Sequence, residues 1–245
     1  YRDGQPIVYD SGDYPLALDK ALEAVGGLDA FRRRQREALA AGRYLGLGLG
    51  FYTEGTGVGP FEGATVRIDP SGKISVASGA CPQGQGMETI FSQITADLWK
   101  VKPEDVVVSL ADTATIEMGF GTLASRSTVN VSSAIYVASE RLRNKTFAIA
   151  ANMLECAPTD LELRDGRVGV VGSPRTSVSL ADVARASRPG WNHQRPKGVD
   201  ADLVETYYWE PPTVTWSYAV HAVIVEVDVP LGHVKLEQYA IAHDC

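Results

Sequence analysis

The 245 residues, 44% of them hydrophobic and 22% charged, can bury one large core or two smaller ones, and nothing in the composition points to disorder. A net charge of −7 argues against nucleic acid, and the one dense basic run, Arg32-Arg33-Arg34 with Arg36, reads as a solvated helix face. Cys81, Cys156 and Cys245 lie far apart without a CxxC pair, no apolar run nears the ~20 residues of a bilayer span, and no signal peptide opens the chain, so a cytoplasmic protein with no zinc or Fe–S site of its own is expected.

Taken in order, Tyr14 to Ala41 carries apolar residues at helical spacing, broken at Gly26-Gly27, which predicts two helices. Tyr44 to Thr53 is glycine-rich and apolar, as suits a strand packed closely against neighbours. Ala64–Ile68 and Lys73–Ala77 are β-branched runs joined by Asp69-Pro70-Ser71-Gly72, a hairpin signal. A helix is expected from about Met87 to Lys100, with Ile90, Phe91, Ile94 and Leu98 on its apolar face. Val106 to Leu110 is a continuous apolar run and predicts a buried strand.

A loop over 111–121 then leads to a long helix expected from about Ala124 to Leu154, crowded at its start by small residues. Leu161–Leu163 and Val168–Val171 flank Asp165-Gly166 as a second hairpin, and Ser179 caps a short helix. The polar stretch from Ser187 to Asp200 is a connection, after which strands are expected at Val204–Trp209, Thr213–Val227 and His233–Ala242. The class is α+β, with mixed sheets and packed helices. Three regions are expected: a helical lead-in (1–45), a ligand-binding lobe (46–200) and a strand pair (201–245) that starts or completes an adjoining sheet. Tyr1 in place of methionine and a strand-like run reaching Cys245 lead us to expect a portion of a longer chain.

The chemistry concentrates between Gln83 and Thr128, where two glycine-bearing polar turns each deliver a helix N-terminus. The first N–H groups of a helix have no internal partner and the macrodipole adds partial positive charge, so convergent helix starts favour a large anionic ligand. Taken alone, Thr122 reads more simply as a helix cap, and Ser125 and Ser127 as small packing residues. Asp112 and Glu117 precede a helix start, where the dipole stabilises a carboxylate without any catalytic part. The histidines, His193, His221, His233 and His243, have no metal-ligand spacing, and no residue is assigned to metal. Gly55–Pro60 does not precede a helix, as a dinucleotide loop should.

Four segments carry a resemblance: EGTGVGPFEGA (Glu54–Ala64), QGQGMET (Gln83–Thr89), GFGTLASRST (Gly119–Thr128) and HAVIVEVDVPLGHVKLEQYAIAHDC (His221–Cys245). In their order and spacing they resemble the molybdopterin-binding large subunit of the molybdenum hydroxylases, the family of xanthine dehydrogenase, aldehyde oxidase and carbon monoxide dehydrogenase. The resemblance implies a molybdenum cofactor-binding domain in which Gln83, Gly84, Gln85 and Gly86 contact the pterin and phosphate. Gly121, Thr122, Ser125, Arg126 and Ser127 form the second contact, with Arg126 offering a bidentate fork to phosphate. It places Glu54 and Gly55 at the substrate pocket, where the residues by themselves read as a turn.

Met87 departs from the histidine that commonly follows the turn, which changes the polar network there. A glycine-rich segment and the general-base glutamate of the family fall outside this chain, so the catalytic residue is unassigned and the chain alone is expected to be inactive. The implied enzyme oxidises an aldehyde or an N-heterocycle with water as oxygen source. Its molybdopterin is free or in the cytosine dinucleotide form, and its electrons pass to Fe–S and FAD units on partner chains. The alternatives are a carbon monoxide dehydrogenase piece or a non-catalytic assembly module.

Overall fold

In the computed structural model, which describes residues 4, 6–190 and 193–244, the helices in chain order are α1 (Tyr14–Ala24), α2 (Leu28–Ala40), α3 (Met87–Trp99), α4 (Ser127–Leu154) and α5 (Leu180–Ala186). The strands are β1 (Tyr44–Thr56), β2 (Glu62–Ile68), β3 (Ile74–Ser78), β4 (Val106–Leu110), β5 (Leu161–Arg164), β6 (Arg167–Val170), β7 (Ser173–Ser179), β8 (Val204–Trp209), β9 (Thr215–Asp228) and β10 (His233–Asp244). The class is α+β. Cys245 and the Trp191-Asn192 part of the polar connection lie outside the described residues.

The chain divides into a unit running through Thr56 and resuming at Val214, and a second unit, Gly57–Thr213. This differs from a division at residues 45 and 200, for a reason visible in the pairing. β1 is antiparallel to β9 along its whole length, from Tyr44 opposite Val227 to Thr56 opposite Thr215, so the helical lead-in joins the C-terminal strands. β8 instead pairs with β2, in the other unit.

The first unit is the sheet β1-β9-β10 with α1 and α2 on one face. Asp13 starts α1 by accepting the Leu16 N–H (3.0 Å), and Gly26 and Gly27, at φ 88° and 84°, separate the helices where a side chain would be strained. Ala17, Ala21 and Phe31 pack with Tyr218, Val220, Ala222 and Ile224 as its core.

The second unit centres on the sheet β4-β3-β2-β8. β2 and β3 form the expected hairpin, with Asp69 accepting the Ser71 N–H at 2.7 Å. α3 carries the chain from β3 to β4, which pairs parallel to it. α4 buries Val131, Ile135, Leu142 and Ile149 in the same core as Val66 and Val76, each such side chain stabilising by roughly 1.5–3 kcal/mol.

Three local expectations are corrected. β4 pairs only with β3, so it is an edge strand and leaves Val107 54% exposed instead of buried. α4 begins at Ser127 instead of Ala124, because Ala124 and Ser125 take φ of 43° and 54°, outside the helical region. The Asp165-Gly166 hairpin acquires a third strand, β7, before the Ser179-capped α5.

Candidate functional site

The turn from Gln83 to Gly86 and the segment from Gly121 to Ser127 both belong to the second unit, and the structure brings them together through Thr122. The Thr122 hydroxyl accepts the Cys81 N–H at 3.0 Å, bonds the Ser127 hydroxyl at 3.1 Å, and lies 4.0 Å from the Met87 sulfur. Met87 and Ser127 are the first residues of α3 and α4. One hydroxyl thus ties two helix starts, and neither helix has a side-chain cap. Thr122 is therefore a bridge and not the cap of α4, whose N-cap position is Arg126.

The glycine turn is open. Gly84 and Gly86 hold φ of 95° and 75°, and a Cβ at either would meet no other atom within 4 Å. Gln85 folds its side chain back to accept the Gln83 N–H at 2.6 Å, which stiffens the turn from within. Gln83 through Gly86 and Ser125 are exposed, Gly121 and Thr122 are half-buried, and Ser127 is buried. α3 has Glu88 in its first turn, whereas α4 has no acid there, so the positive end of α4 is the less compensated of the two.

Beneath this surface runs a scaffold that sequence reasoning missed. Gly79 and Gly119 pass so closely that a Cβ on Gly79 would lie 2.4 Å from the Gly119 Cα, and only glycine fits on both sides. Glu62, fully buried, accepts the Gly121 N–H at 2.9 Å and Arg126 Nη1 at 2.8 Å. Arg126, also fully buried, donates from Nε to the Val58 carbonyl at 2.7 Å and to the Gly121 and Phe61 carbonyls, with its guanidinium 4.8 Å from the Phe120 ring centroid.

The fork expected to face phosphate is therefore engaged inside the protein, and Arg126 acts by positioning the loop. Glu62 gave only a weak signal: an acid between Phe61 and Gly63 at the head of a strand.

The other residues singled out lie elsewhere or have local partners. Glu54 and Gly55 are in β1, within the first unit; Glu54 is exposed and Gly55 faces the Trp216 ring. Asp112 accepts the Ala114 N–H at 2.9 Å in a local turn. His221 shares a hydrogen bond with the Tyr239 hydroxyl at 2.8 Å. Among the described residues there is no group of three or more His, Cys, Asp or Glu placed to hold a metal, and no helix is long and apolar enough to cross a membrane.

An α+β unit that presents two uncapped helix starts and an open glycine turn on one surface is of the class that binds a large, polyanionic cofactor. The chain belongs to the molybdopterin cofactor-binding domain family, whose model matches residues 21–245.

It is 35% identical to the nicotine 6-hydroxylase large subunit of Paenarthrobacter nicotinovorans, over 100% of this chain and 31% of that protein. It is 33% identical to the carbon monoxide dehydrogenase large chain of Afipia carboxidovorans, over 97% of this chain and 31% of that one. Among solved structures, quinoline 2-oxidoreductase from Pseudomonas putida 86 superposes with a TM-score of 0.83 at 34% identity, covering 93% of this chain and 30% of that chain. The chain thus spans about a third of the length of these relatives.

Proposed function

We propose that the Gln83–Gly86 turn and the Gly121–Ser127 segment hold the molybdopterin cofactor of a molybdenum hydroxylase large subunit. The observation that carries this reading is the single Thr122 hydroxyl tying the uncapped starts of α3 and α4. The residues fit such a group. Gly84 and Gly86 leave room for backbone N–H groups to approach a ligand, and free helix-start N–H groups suit its phosphate. Gln83 offers a donor and an acceptor to a pterin edge, and Ser125 presents an exposed hydroxyl. Arg126 contributes from below, by holding Gly121 and the 58–61 backbone. Bound there, the cofactor supplies two-electron oxidation of a substrate carbon with water as oxygen source.

For the whole enzyme the substrate is proposed to be an aldehyde or an N-heterocycle. Two of the relatives are named for nicotine and quinoline, and the carbon monoxide dehydrogenase relatives keep that chemistry as the second reading. Glu54 and Gly55 are proposed to border the substrate. A cytosine dinucleotide form of the cofactor, Fe–S and FAD subunits as electron acceptors, and a cytoplasmic location complete the proposal. The test is pterin and molybdenum content of the native assembly beside the same assembly carrying Thr122→Val. Stoichiometric cofactor in the first and depletion in the second supports the reading, whereas a native assembly devoid of pterin leaves a non-catalytic assembly module in its place.

A further inference from the structure

The sheet β1-β9-β10 has α1 and α2 on one face, and among the described residues of its unit no helix packs on the other. Ring contacts fix which side chains share the open face: Tyr52 lies 5.8 Å from His221 and 6.3 Å from His243, and His221 lies 5.7 Å from Tyr239. The register then assigns the rest. β10 contributes Val234, Leu236, Tyr239 and Ile241, between 54% and 64% exposed, opposite Val227, Val225, Val223 and His221 of β9.

Between the level of Tyr44 and that of Tyr52 this face carries no carboxylate, ammonium or guanidinium. Within that span the charges of the sheet belong to the helix side, where Glu226 pairs with Arg43 and Glu237 with Arg34. A solvated face of an antiparallel sheet alternates polar residues with the buried ones; this one has the composition of a second buried face.

β1 adds an independent observation. Its positions on the open face are Gly46, Gly48 and Gly50, opposite Val225, Val223 and His221. A Cβ at Gly48 would meet nothing within 4 Å, one at Gly46 only the Val225 Cγ2 at 3.4 Å, and one at Gly50 only the His221 Cβ at 3.9 Å. None of the three has a positive φ. Among the described residues nothing requires glycine there, although each glycine weakens a strand by roughly 0.5–1 kcal/mol relative to alanine. Glycine inside a strand marks a bulge, a bend, or a place where a ligand or another backbone comes close, and β1 pairs with β9 without a register shift.

We infer that this face is an internal interface of the full large subunit: an apolar segment of that polypeptide outside residues 1–245 seats over the glycine trough of β1, against Val223 and Tyr239. The inference rests on the proposed reading of the chain as a portion of such a subunit, and the relatives leave the length for it, since the chain covers 31% of each. A face without charge is that of a permanent interface, whereas a separately folding electron-transfer partner docks through a more polar surface.

The experiment places a photo-cross-linking benzoylphenylalanine at Tyr239 in the native assembly, after the intact mass of the polypeptide carrying residues 1–245 has been measured. Cross-links to peptides of the same polypeptide outside 1–245 are expected. Gly48→Leu in that assembly is expected to speed amide exchange in β10 by ~10-fold or more while α4 amides stay unchanged. Cross-links to another subunit or to a second copy, or an uncross-linked face whose exchange Gly48→Leu leaves unaltered, overturn the inference while the cofactor reading stands. A native polypeptide no heavier than 26.3 kDa defeats the large-subunit reading itself, and the inference with it.

Discussion

Glu62 and Arg126 form an ion pair of 2.8 Å in which neither side chain has any solvent exposure, and it joins the first residue of β2 to the residue just before α4. The remaining donors of the guanidinium reach backbone carbonyls of Val58, Phe61 and Gly121, so three stretches of chain are fastened at one point. Desolvating both charges is compensated only because nearly every polar atom of the pair is matched. The consequence for function is geometric: Gly121, whose N–H and carbonyl are both held by the pair, sets where Thr122 stands.

Removing one partner strands the other. Glu62→Ala is expected to destabilise the fold by about 3–5 kcal/mol, and Arg126→Lys by less, because an ammonium keeps the charge but cannot span the same oxygens. Urea unfolding with an unchanged slope measures both. A Glu62→Ala protein within about 1 kcal/mol of the parent would show that the pair is dispensable.

Thr122→Val keeps the shape and deletes the hydroxyl, leaving the Cys81 N–H and the Ser127 hydroxyl without their shared partner. Lost hydrogen bonds of this kind cost about 1–3 kcal/mol, so pterin retention is expected to weaken by roughly 10-fold or more, with Thr122→Ser close to the parent. Pterin fluorescence released on denaturation, per mole of protein, reads the effect. Full retention in the valine variant would remove Thr122 from the site.

Local chemistry explains which parts were legible from sequence. Asp69-Pro70-Ser71-Gly72 announced the β2–β3 hairpin, and Gly26-Gly27 announced the break between α1 and α2, because such signals act within a few residues. β7 escaped because Ser173–Ser179 includes Pro174 and Arg175 and has Val178 as its one large aliphatic residue. β4 was placed correctly but given the wrong burial, since an apolar run does not say how many neighbours the strand will have. The partners of Arg126 were illegible for the same reason: its carboxylate is 64 residues earlier in the chain. The charge of a guanidinium is visible in a sequence, but what neutralises it is a property of the tertiary fold.

The positive φ of Gly86 separates two explanations of its identity. At φ 75° and ψ 32° it is in the left-handed region, where alanine costs about 1–2 kcal/mol and asparagine less. If conformation alone matters, Gly86→Asn retains pterin and Gly86→Ala loses part of it. We expect both variants to lose pterin to a similar degree, because the space beside Gly86 is open to a ligand and any Cβ enters it. Retention by the asparagine variant would move the cofactor away from this turn.

At the start of α5, Ser179 and Asp182 close a reciprocal cap. The Ser179 hydroxyl accepts the Asp182 N–H at 3.1 Å and donates to the Asp182 carboxylate at 2.6 Å, and Arg185 adds a contact at 2.7 Å. The hydroxyl first, and then the guanidinium, lower the Asp182 pKa from 3.8 to about 2. Because the folded value is depressed, the stabilisation is fully present above the unfolded pKa near 3.8 and is lost as pH falls through the folded pKa of about 2. Ser179→Ala removes the larger cause, so the Asp182 titration seen by carboxyl NMR is expected to move up toward 3.8, and the cap to lose about 0.5–2 kcal/mol at neutral pH. A midpoint that stays near 2 in that variant would assign the shift to Arg185 instead, and Arg185→Gln would then be the substitution that raises it.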